Sequence, residues 1–321
     1  MRNILILCLL LGACSSSAPV TQSLSDILPA GAEVRHLNPD MPFTFTEGPV
    51  VDDAGYFYFS DMDSKMTGKG NRIMKMTPDG TFSVFQPFYN GNTNGLLINR
   101  AGNILAAEMY GHRVVEIDPN GNVLRVVADS YNGVRLDGPN DMVMDRKGGL
   151  YVTDPRYLPQ DQWEQDTEAV YYLPPGGSDL VRVLSGLEKP NGILLSPDEQ
   201  TLYVNDTQGE YIYAWDVQPD GAVSNKREFT RLELAEESQR RGPTHSGADG
   251  MALDVQGNLY VTTALGVQVI NAAGVNLGTI AVPEVPANCG FGGNTLYITA
   301  RTGVYAVDLL IPGLIFPQPL N

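Results

Sequence analysis

The chain has 321 residues and a formal net charge of −16 at pH 7. Such an acidic balance disfavours nucleic acid and anionic lipid surfaces as partners, and it suits the capture of cations. The sequence contains neither a P-loop nor a glycine-rich dinucleotide-binding pattern, so it gives no support for nucleotide chemistry.

The first residues predict a bacterial lipoprotein signal rather than part of the fold. After a positive start, residues 4–11 form an apolar segment too short to span a bilayer, and residues 11–14 read Leu-Gly-Ala-Cys. That ending resembles the lipobox, in which the cysteine becomes the lipidated first residue. We therefore expect residues 1–13 to be removed, Cys14 to carry a lipid, and residues 14–30 to form a flexible tether. The alternative is an ordinary signal peptide with an incidental cysteine.

This signal also predicts a location. A lipid on Cys14 would attach the protein to a membrane of the bacterial cell envelope, either facing the periplasm or in the outer membrane. Of the three cysteines, Cys8 would leave with the signal, so Cys289 would remain as the one unmodified thiol and no disulfide framework is expected.

A six-fold repeat occupies the rest of the chain, residues 31–321. Each unit begins with an oxygen-bearing side chain and an apolar strand, and a Gly- or Asp-rich turn leads to a second strand that starts 8–11 residues after the polar residue. The six polar residues are Glu47, Asn94, Asn140, Asn191, Asp249 and Asn288. The second strands are predicted at residues 56–60, 104–107, 150–153, 202–204, 259–262 and 296–299.

A repeat of about 40–50 residues built from short strands indicates a β-propeller. We therefore predict an all-β protein in which residues 31–321 form one six-bladed β-propeller. Equivalent positions of all blades meet around one axis, so the six polar side chains should line a hole at one face. The alternative for Asn94-Gly95 and Asn191-Gly192 is a turn, because both residue types tolerate positive φ.

Two insertions and one terminal segment depart from the repeat. Residues 155–168 lengthen blade three, and residues 231–248 lengthen blade four and include a predicted short helix at 234–240. Insertions on one face of a repeat protein usually build the binding rim. Residues 33–37 are predicted to close the ring by adding a strand to the last blade, because an open propeller would expose strand edges.

The central oxygens favour a hard divalent cation. The three histidines lie outside the six polar positions, which disfavours zinc or copper. Glu47 and Asp249 supply two negative charges, and asparagine oxygens add neutral ligands. Calcium accepts six to eight oxygens in a loose geometry whereas magnesium demands a tight octahedron, so we predict Ca²⁺, with another divalent cation as the alternative. An ion with open positions can polarise a carbonyl or phosphoryl oxygen and hold a nucleophilic water.

Five segments carry a resemblance to a known family. They read FTEGPV (45–50), LDGPNDMVMDRKGGLYVTDPRY (136–157), KPNGILLSPDEQTLYVND (189–206), GADGMALDVQGNLYVTT (247–263) and NCGFGGNTLYITA (288–300). From about Glu33 to Asp308 the chain resembles the SMP-30/gluconolactonase/luciferin-regenerating-enzyme-like family, six-bladed propellers with a catalytic divalent ion on the axis. The resemblance implies that the metal is held by Glu47, Asn140, Asn191 and Asp249. It also implies that Asp249 is the general base, and that Asn94 and Asn288 contact the substrate or support the ligands.

Two positions depart from the family pattern. Some relatives grip their substrate with an arginine two residues before the blade-three asparagine, where this chain has Gly138. A phosphotriesterase branch holds a second calcium with an aspartate where this chain has Ala252. The resemblance therefore implies neither a particular substrate nor a second metal site.

Acidic residues at strand exits could face the same hole: Asp61, Glu108, Asp154 and Asp206. Turn capping is the favoured interpretation of Asp61 and Asp206. Asp154 is predicted to contact the substrate because it leads directly into the 155–168 insertion. In that insertion, Tyr157 and Trp163 either form an apolar wall of the cavity or pack the insertion onto the rim.

Three functions are consistent with these residues. The leading hypothesis is a Ca²⁺-dependent lactonase, in which a metal-activated water opens a small-molecule lactone or ester. A phosphotriesterase-type hydrolase would use the same metal site. A non-catalytic propeller lipoprotein that binds an envelope component would need no charged pair on the axis, so Glu47 and Asp249 favour the two enzymes.

Overall fold

The computed structural model describes residues 22–63, 71–87 and 91–320. Across these ranges the chain forms six four-stranded sheets and one two-stranded sheet. The predicted all-β, six-bladed propeller is therefore confirmed. The predicted signal peptide and Cys14 lie outside the described residues.

The blades follow one another along the sequence, and the first strand of each lies nearest the axis. Blade one contains Thr46–Val51, Phe57–Asp61, Arg72–Met76 and Phe82–Pro87. Blade two contains Thr93–Ile98, Ile104–Glu108, Arg113–Ile117 and Val123–Ala128. Blade three contains Met142–Met144, Leu150–Asp154, Ala169–Leu173 and Val181–Ser185.

The second half of the ring repeats this arrangement. Blade four contains Pro190–Leu195, Thr201–Asp206, Tyr211–Val217 and Val223–Arg231. Blade five contains Met251–Leu253, Leu259–Thr263, Gly266–Ile270 and Asn276–Ile280. Blade six contains Pro286–Gly292, Thr295–Ala300 and Gly303–Asp308. All six predicted second strands are present.

The N-terminal part of the chain closes the ring. Arg35–His36 pairs antiparallel with Gly303–Asp308 and becomes the fourth strand of blade six, which confirms the predicted closing strand. Upstream, Leu24–Asp26 forms a 3₁₀ helix, and Ile27 is completely buried in the core between blades five and six. The packed domain therefore begins before residue 31, within the segment that composition predicts to be a tether.

Both predicted insertions are present. The blade-three insertion contains a 3₁₀ helix, Gln160–Gln162, and the blade-four insertion contains the α-helix Glu236–Gln239, inside the predicted 234–240. A small hairpin of Ser130–Tyr131 and Val134–Arg135 joins blades two and three. Within the described ranges, no helix is both long enough and apolar enough to cross a membrane.

The hydrophobic core lies between adjacent blades, because side chains alternate between the two faces of each sheet. Tyr151 of blade three, for example, shares one buried cluster with Ile193 and Trp215 of blade four. Cys289 is buried in the cluster that joins blades five and six. This packing holds each blade as a wedge and fixes where its first strand meets the axis.

Glycine after the axial residue lets neighbouring blades approach closely. Asn94 and Gly95 lie inside a strand without positive φ, so this pair does not form the alternative turn. The Gly95 N–H donates to the Asn140 carbonyl oxygen of the next blade at 2.8 Å, and a Cβ on Gly95 would lie 2.6 Å from that oxygen. A Cβ on Gly192 would lie 2.4 Å from the Asp249 carbonyl oxygen. The repeated glycine therefore reflects contact between blades.

This contact predicts the cost of a single methyl group. In Gly95→Ala the new Cβ must push the backbone of blade three away, and overpacking of this kind costs about 1–3 kcal/mol. We expect a lower midpoint of thermal unfolding, measured by circular dichroism. Gly242→Ala is the matched control, because its Cβ would meet nothing closer than 3.8 Å. Equal melting temperatures for the two variants would contradict the proposed role of Gly95.

Candidate functional site

A cavity of about 390 Å³ opens on the axis. Five of the six predicted axial residues line it: Glu47, Asn94, Asn140, Asn191 and Asp249. The sixth, Asn288, lines a smaller cavity further along the first strands, where its side chain lies beside the Glu47 carboxylate and acts to lower the pKa of that group. Of its two predicted roles, this position fits support of a ligand rather than contact with a substrate.

Hydrogen bonds between adjacent blades fix the backbone beneath the axial residues. Ser60 Oγ donates to the Asn94 carbonyl oxygen at 2.7 Å, and Asn205 Nδ2 donates to the Asp249 carbonyl oxygen at 2.5 Å. In both pairs the donor belongs to the second strand of one blade and the acceptor to the start of the next. In blades one and four, the polar end of the second strand thereby fixes the backbone that carries the neighbouring axial side chain.

Asn191 is the best-connected axial side chain. Its Nδ2 donates to Asp249 Oδ1 at 2.7 Å and to the Tyr157 hydroxyl at 2.9 Å. Its Oδ1 is buried and has no hydrogen-bond partner among the described residues. Leaving a buried acceptor unpaired costs about 1–3 kcal/mol, so this oxygen is a candidate ligand atom.

The axial carboxylates have raised pKa values. Burial raises the pKa of Glu47 well above its usual range, and the negative charge of Asp249 adds to the effect. Burial also raises the pKa of Asp249 to about 7, although the hydrogen bond from Asn191 and the positive charge of Arg301 act in the opposite direction. A cation held by both carboxylates would favour the charged form of each and offset the repulsion between them.

The axial residues fit a hard divalent cation. Across the residues that the structure describes, no group of three or more His, Cys, Asp or Glu side chains could hold a metal. The axial set instead combines two carboxylates with amide oxygens, one of them the unpaired Asn191 Oδ1. Such an all-oxygen set with two negative charges suits calcium-like ions rather than zinc or copper.

Acidic residues at the strand exits fix loops. Asp61 Oδ1 accepts the Thr44 backbone N–H at 2.7 Å. The two carboxylate oxygens of Asp206 accept the backbone N–H groups of Glu188 and Lys189 at 2.9 and 3.0 Å. Asp206 also accepts the Gln208 backbone N–H at 3.1 Å, as turn capping predicts, whereas Asp61 holds the loop before blade one and forms an ion pair with Arg72.

The structure places Asp154 outside the cavity and corrects the predicted substrate contact. Its side chain is completely buried and accepts the backbone N–H groups of Asp137 at 3.0 Å and Gly138 at 2.7 Å. In the insertion that follows, Tyr157 and Trp163 have different roles. Tyr157 lines the cavity, whereas Trp163 Nε1 donates to the Leu158 carbonyl oxygen and its ring lies against Arg156, so Trp163 holds the insertion together.

The repeat pattern missed several polar residues near the axis. Asp141 stands where four other blades have glycine after the axial residue, and burial raises its pKa to about 7. The replacement of this glycine by an aspartate was the feature of the sequence that could have marked Asp141 as part of the axial site. Arg241 and His245 of the blade-four insertion and Arg301 of blade six also line the cavity. They lie outside the repeated positions, so no periodicity marks them.

These features define a class of protein: a six-bladed propeller whose axis carries a deep cavity lined with carboxylate and amide oxygens. Within that class the sequence identifies one family. The family described as the SMP-30/Gluconolactonase/LRE-like region matches residues 45–302, and the chain belongs to it.

Curated relatives cover most of the chain. A gluconolactonase of Zymomonas mobilis is 32% identical over 291 residues, which span 82% of this chain and 78% of the relative. Lactonase drp35 of Staphylococcus aureus is 27% identical over 253 residues, which span 74% of this chain and 69% of the relative.

Solved structures have the same fold. A gluconolactonase from Xanthomonas campestris superposes with a TM-score of 0.77 at 29% identity and covers 89% of this chain and 92% of its own. A luciferin-regenerating enzyme superposes with a TM-score of 0.72 at 18% identity, covering 91% of this chain and 100% of its own. At that identity the second likeness shows the fold alone.

The contacts of Asp154 predict a stability defect rather than a binding defect. Asp154→Ala leaves two backbone N–H groups without acceptors, at a cost of about 1–3 kcal/mol for each. We expect a lower free energy of unfolding, measured by urea denaturation. Asp161→Ala is the control, since Asp161 is exposed in the same insertion. If Asp154→Ala had wild-type stability and a changed KM, Asp154 would have to be assigned to the substrate site.

Proposed function

We propose that this protein is a Ca²⁺-dependent lactonase that hydrolyses sugar lactones or related cyclic esters. The observation that carries the proposal is the pair of enclosed carboxylates, Glu47 and Asp249, beside the unpaired Asn191 oxygen. The similarity to a gluconolactonase and to lactonases over most of the chain supports the reaction class.

Glu47, Asn140, Asn191 and Asp249 would hold the ion. Their two carboxylates balance a divalent charge, and calcium accepts mixed carboxylate and amide oxygens in a flexible geometry. When bound, the ion supplies Lewis acidity for the lactone carbonyl and lowers the pKa of a water molecule.

Asp249 is the residue best placed to move a proton. Asn191 Nδ2 holds its Oδ1, which fixes the plane of the carboxylate. Its Oδ2 can then accept a proton from the water that attacks the lactone carbonyl carbon. When the ring C–O bond breaks, the departing alkoxide takes that proton from Asp249, and the product is a hydroxy acid.

Other residues of the cavity bind and shield the substrate. Phe45, Met62 and Met109 form one side of the cavity and belong to a single apolar cluster. This wall can contact the carbon skeleton and exclude bulk water, which strengthens the electrostatic interactions inside. Asn94 lines the same cavity and can hydrogen-bond to substrate hydroxyl groups.

The decisive assay compares substrate classes on one preparation. Purified protein with added Ca²⁺ is tested against a panel of lactones and a panel of phosphotriesters, each repeated with EDTA. The proposal requires EDTA-sensitive lactone hydrolysis. Phosphotriester hydrolysis alone would favour the related hydrolase, and no turnover of either panel would favour a non-catalytic binding protein.

Calcium should also stabilise the fold, because its proposed ligands come from blades one, three, four and five. A ligand that binds only the folded state adds RT ln(1 + [L]/Kd) to the free energy of unfolding, or about 2.7 kcal/mol at a hundredfold excess over Kd. We expect EDTA to lower the melting temperature and Ca²⁺ to restore it more effectively than Mg²⁺. A melting temperature that does not change on addition of EDTA would contradict the proposed site.

Asp249→Asn separates binding of the ion from proton transfer. The variant keeps the size of the side chain and one oxygen but removes the base, so kcat should fall by about 10²-fold at saturating Ca²⁺. Asp254→Asn is the matched control, since Asp254 belongs to the same blade and lies outside the cavity. Unchanged turnover by Asp249→Asn at saturating Ca²⁺ would show that the axial oxygens are structural.

A further inference from the structure

We propose that the axial cavity selects lactones that carry a free carboxylate, with Arg241 and Arg301 as its specificity-determining residues. The inference rests on the proposed lactonase function and names the substrate class of that site. The charged groups on the rim of this cavity lie outside the repeated positions of the sequence.

Both arginines line the cavity. In the parts of the chain that the structure describes, neither guanidinium forms an ion pair or a hydrogen bond, whereas ten other arginines there are ion-paired. Acidic partners are abundant in a chain with a net charge of −16. Two unpaired guanidinium groups on one cavity are therefore available to an anionic ligand.

Arg301 lines the cavity with its backbone in a left-handed conformation, which other residue types adopt more readily. It has a φ of 47° in the turn between the second and third strands of blade six. Glycine and asparagine adopt this left-handed region more readily than arginine. The guanidinium carbon lies 5.3 Å from the centroid of the Phe45 ring, which also lines the cavity. The cation–π contact positions the charge without neutralising it.

The balance of charges favours a single negative group. The charged residues that line the cavity are Glu47, Glu237, Arg241, Asp249 and Arg301. A divalent cation on the two axial carboxylates leaves two positive charges and one negative charge. An excess of one positive charge matches a carboxylate better than a phosphate, which carries about −1.5 to −2 at pH 7.

His245 is an independent sign of a polar ligand on this side of the cavity. It belongs to the same insertion as Arg241, lines the cavity and is only 6% exposed. Its Nδ1 is buried without a hydrogen-bond partner among the described residues. An imidazole nitrogen can donate or accept according to its tautomer, so His245 can complete the contacts of a ligand group held by Arg241.

The test uses two lactones that differ at one carbon. D-galactono-1,4-lactone ends in a hydroxymethyl group, and D-galactaro-1,4-lactone ends in a carboxylate. For the wild type we expect kcat/KM to be at least about tenfold higher for the charged lactone, the scale of one charge-assisted hydrogen bond. Arg241→Gln and Arg301→Gln should each lower the ratio of the two kcat/KM values by about tenfold. Added salt should lower the same ratio.

Arg240→Gln is the matched control, because Arg240 is exposed next to Arg241 but does not line the cavity. It should keep the wild-type ratio. A wild-type ratio near one, or a ratio that neither cavity variant changes, would overturn the inference while leaving the lactonase intact.

If neither lactone is hydrolysed, the lactone panel decides the lactonase proposal, and the same pair is titrated by calorimetry in the presence of Ca²⁺ to test the subsite without turnover. Tighter binding of the charged lactone that both cavity variants weaken would support the anionic subsite. Equal or undetectable binding of the two lactones would overturn it.

Discussion

Two carboxylates enclosed at one point of the axis are the constraint on which the rest of the molecule depends. Removing two like charges from water is unfavourable, and their mutual repulsion adds to the cost. The ring keeps Glu47 and Asp249 in place because each lies at the start of a blade whose position is fixed by its neighbours. A divalent cation held by both carboxylates would offset this repulsion, so the stability of the centre and its proposed chemistry would have the same physical origin.

The fold could be predicted because a propeller repeats one short unit, and six copies of a weak pattern make a strong one. The axial residues could be predicted for the same reason, since equivalent positions must meet at the axis. The orientation of side chains at the strand exits could not. Asp154 ends the second strand of blade three and Asn191 lies near the start of the first strand of blade four, yet Asp154 is completely buried against backbone N–H groups whereas Asn191 lines the cavity. That difference depends on the local twist of the chain, which the sequence pattern does not record.

The rim was the least predictable part of the site. Arg241 and His245 come from the blade-four insertion, and Arg301 comes from a connection between strands whose length differs from blade to blade. Their positions follow from how those segments fold over the axis. The Asn-Gly pairs illustrate a different difficulty, because the same dipeptide suits a turn or a close approach of two strands. Only the packing of the neighbouring blade decides between them.

Some of the negative charge of the chain has a structural role in turns. Asp52, Asp118, Asp145 and Asp254 each accept two backbone N–H groups within the turn that they begin. Part of the acidity therefore builds tight turns between strands. The net charge of the chain is therefore weaker support for cation binding at the axis than its composition suggested.

The closing strand has a consequence for how the protein comes to be folded. Arg35–His36 precedes every blade in sequence, yet its partner is the final strand of blade six. Contacts between such distant parts of a chain form slowly, because the loop entropy must be lost before the contact stabilises anything. The last blade, and with it the complete ring around the axis, can form only after the entire propeller sequence is available. The cavity on the axis, which Arg301 of blade six also lines, is therefore complete only when this last blade has formed.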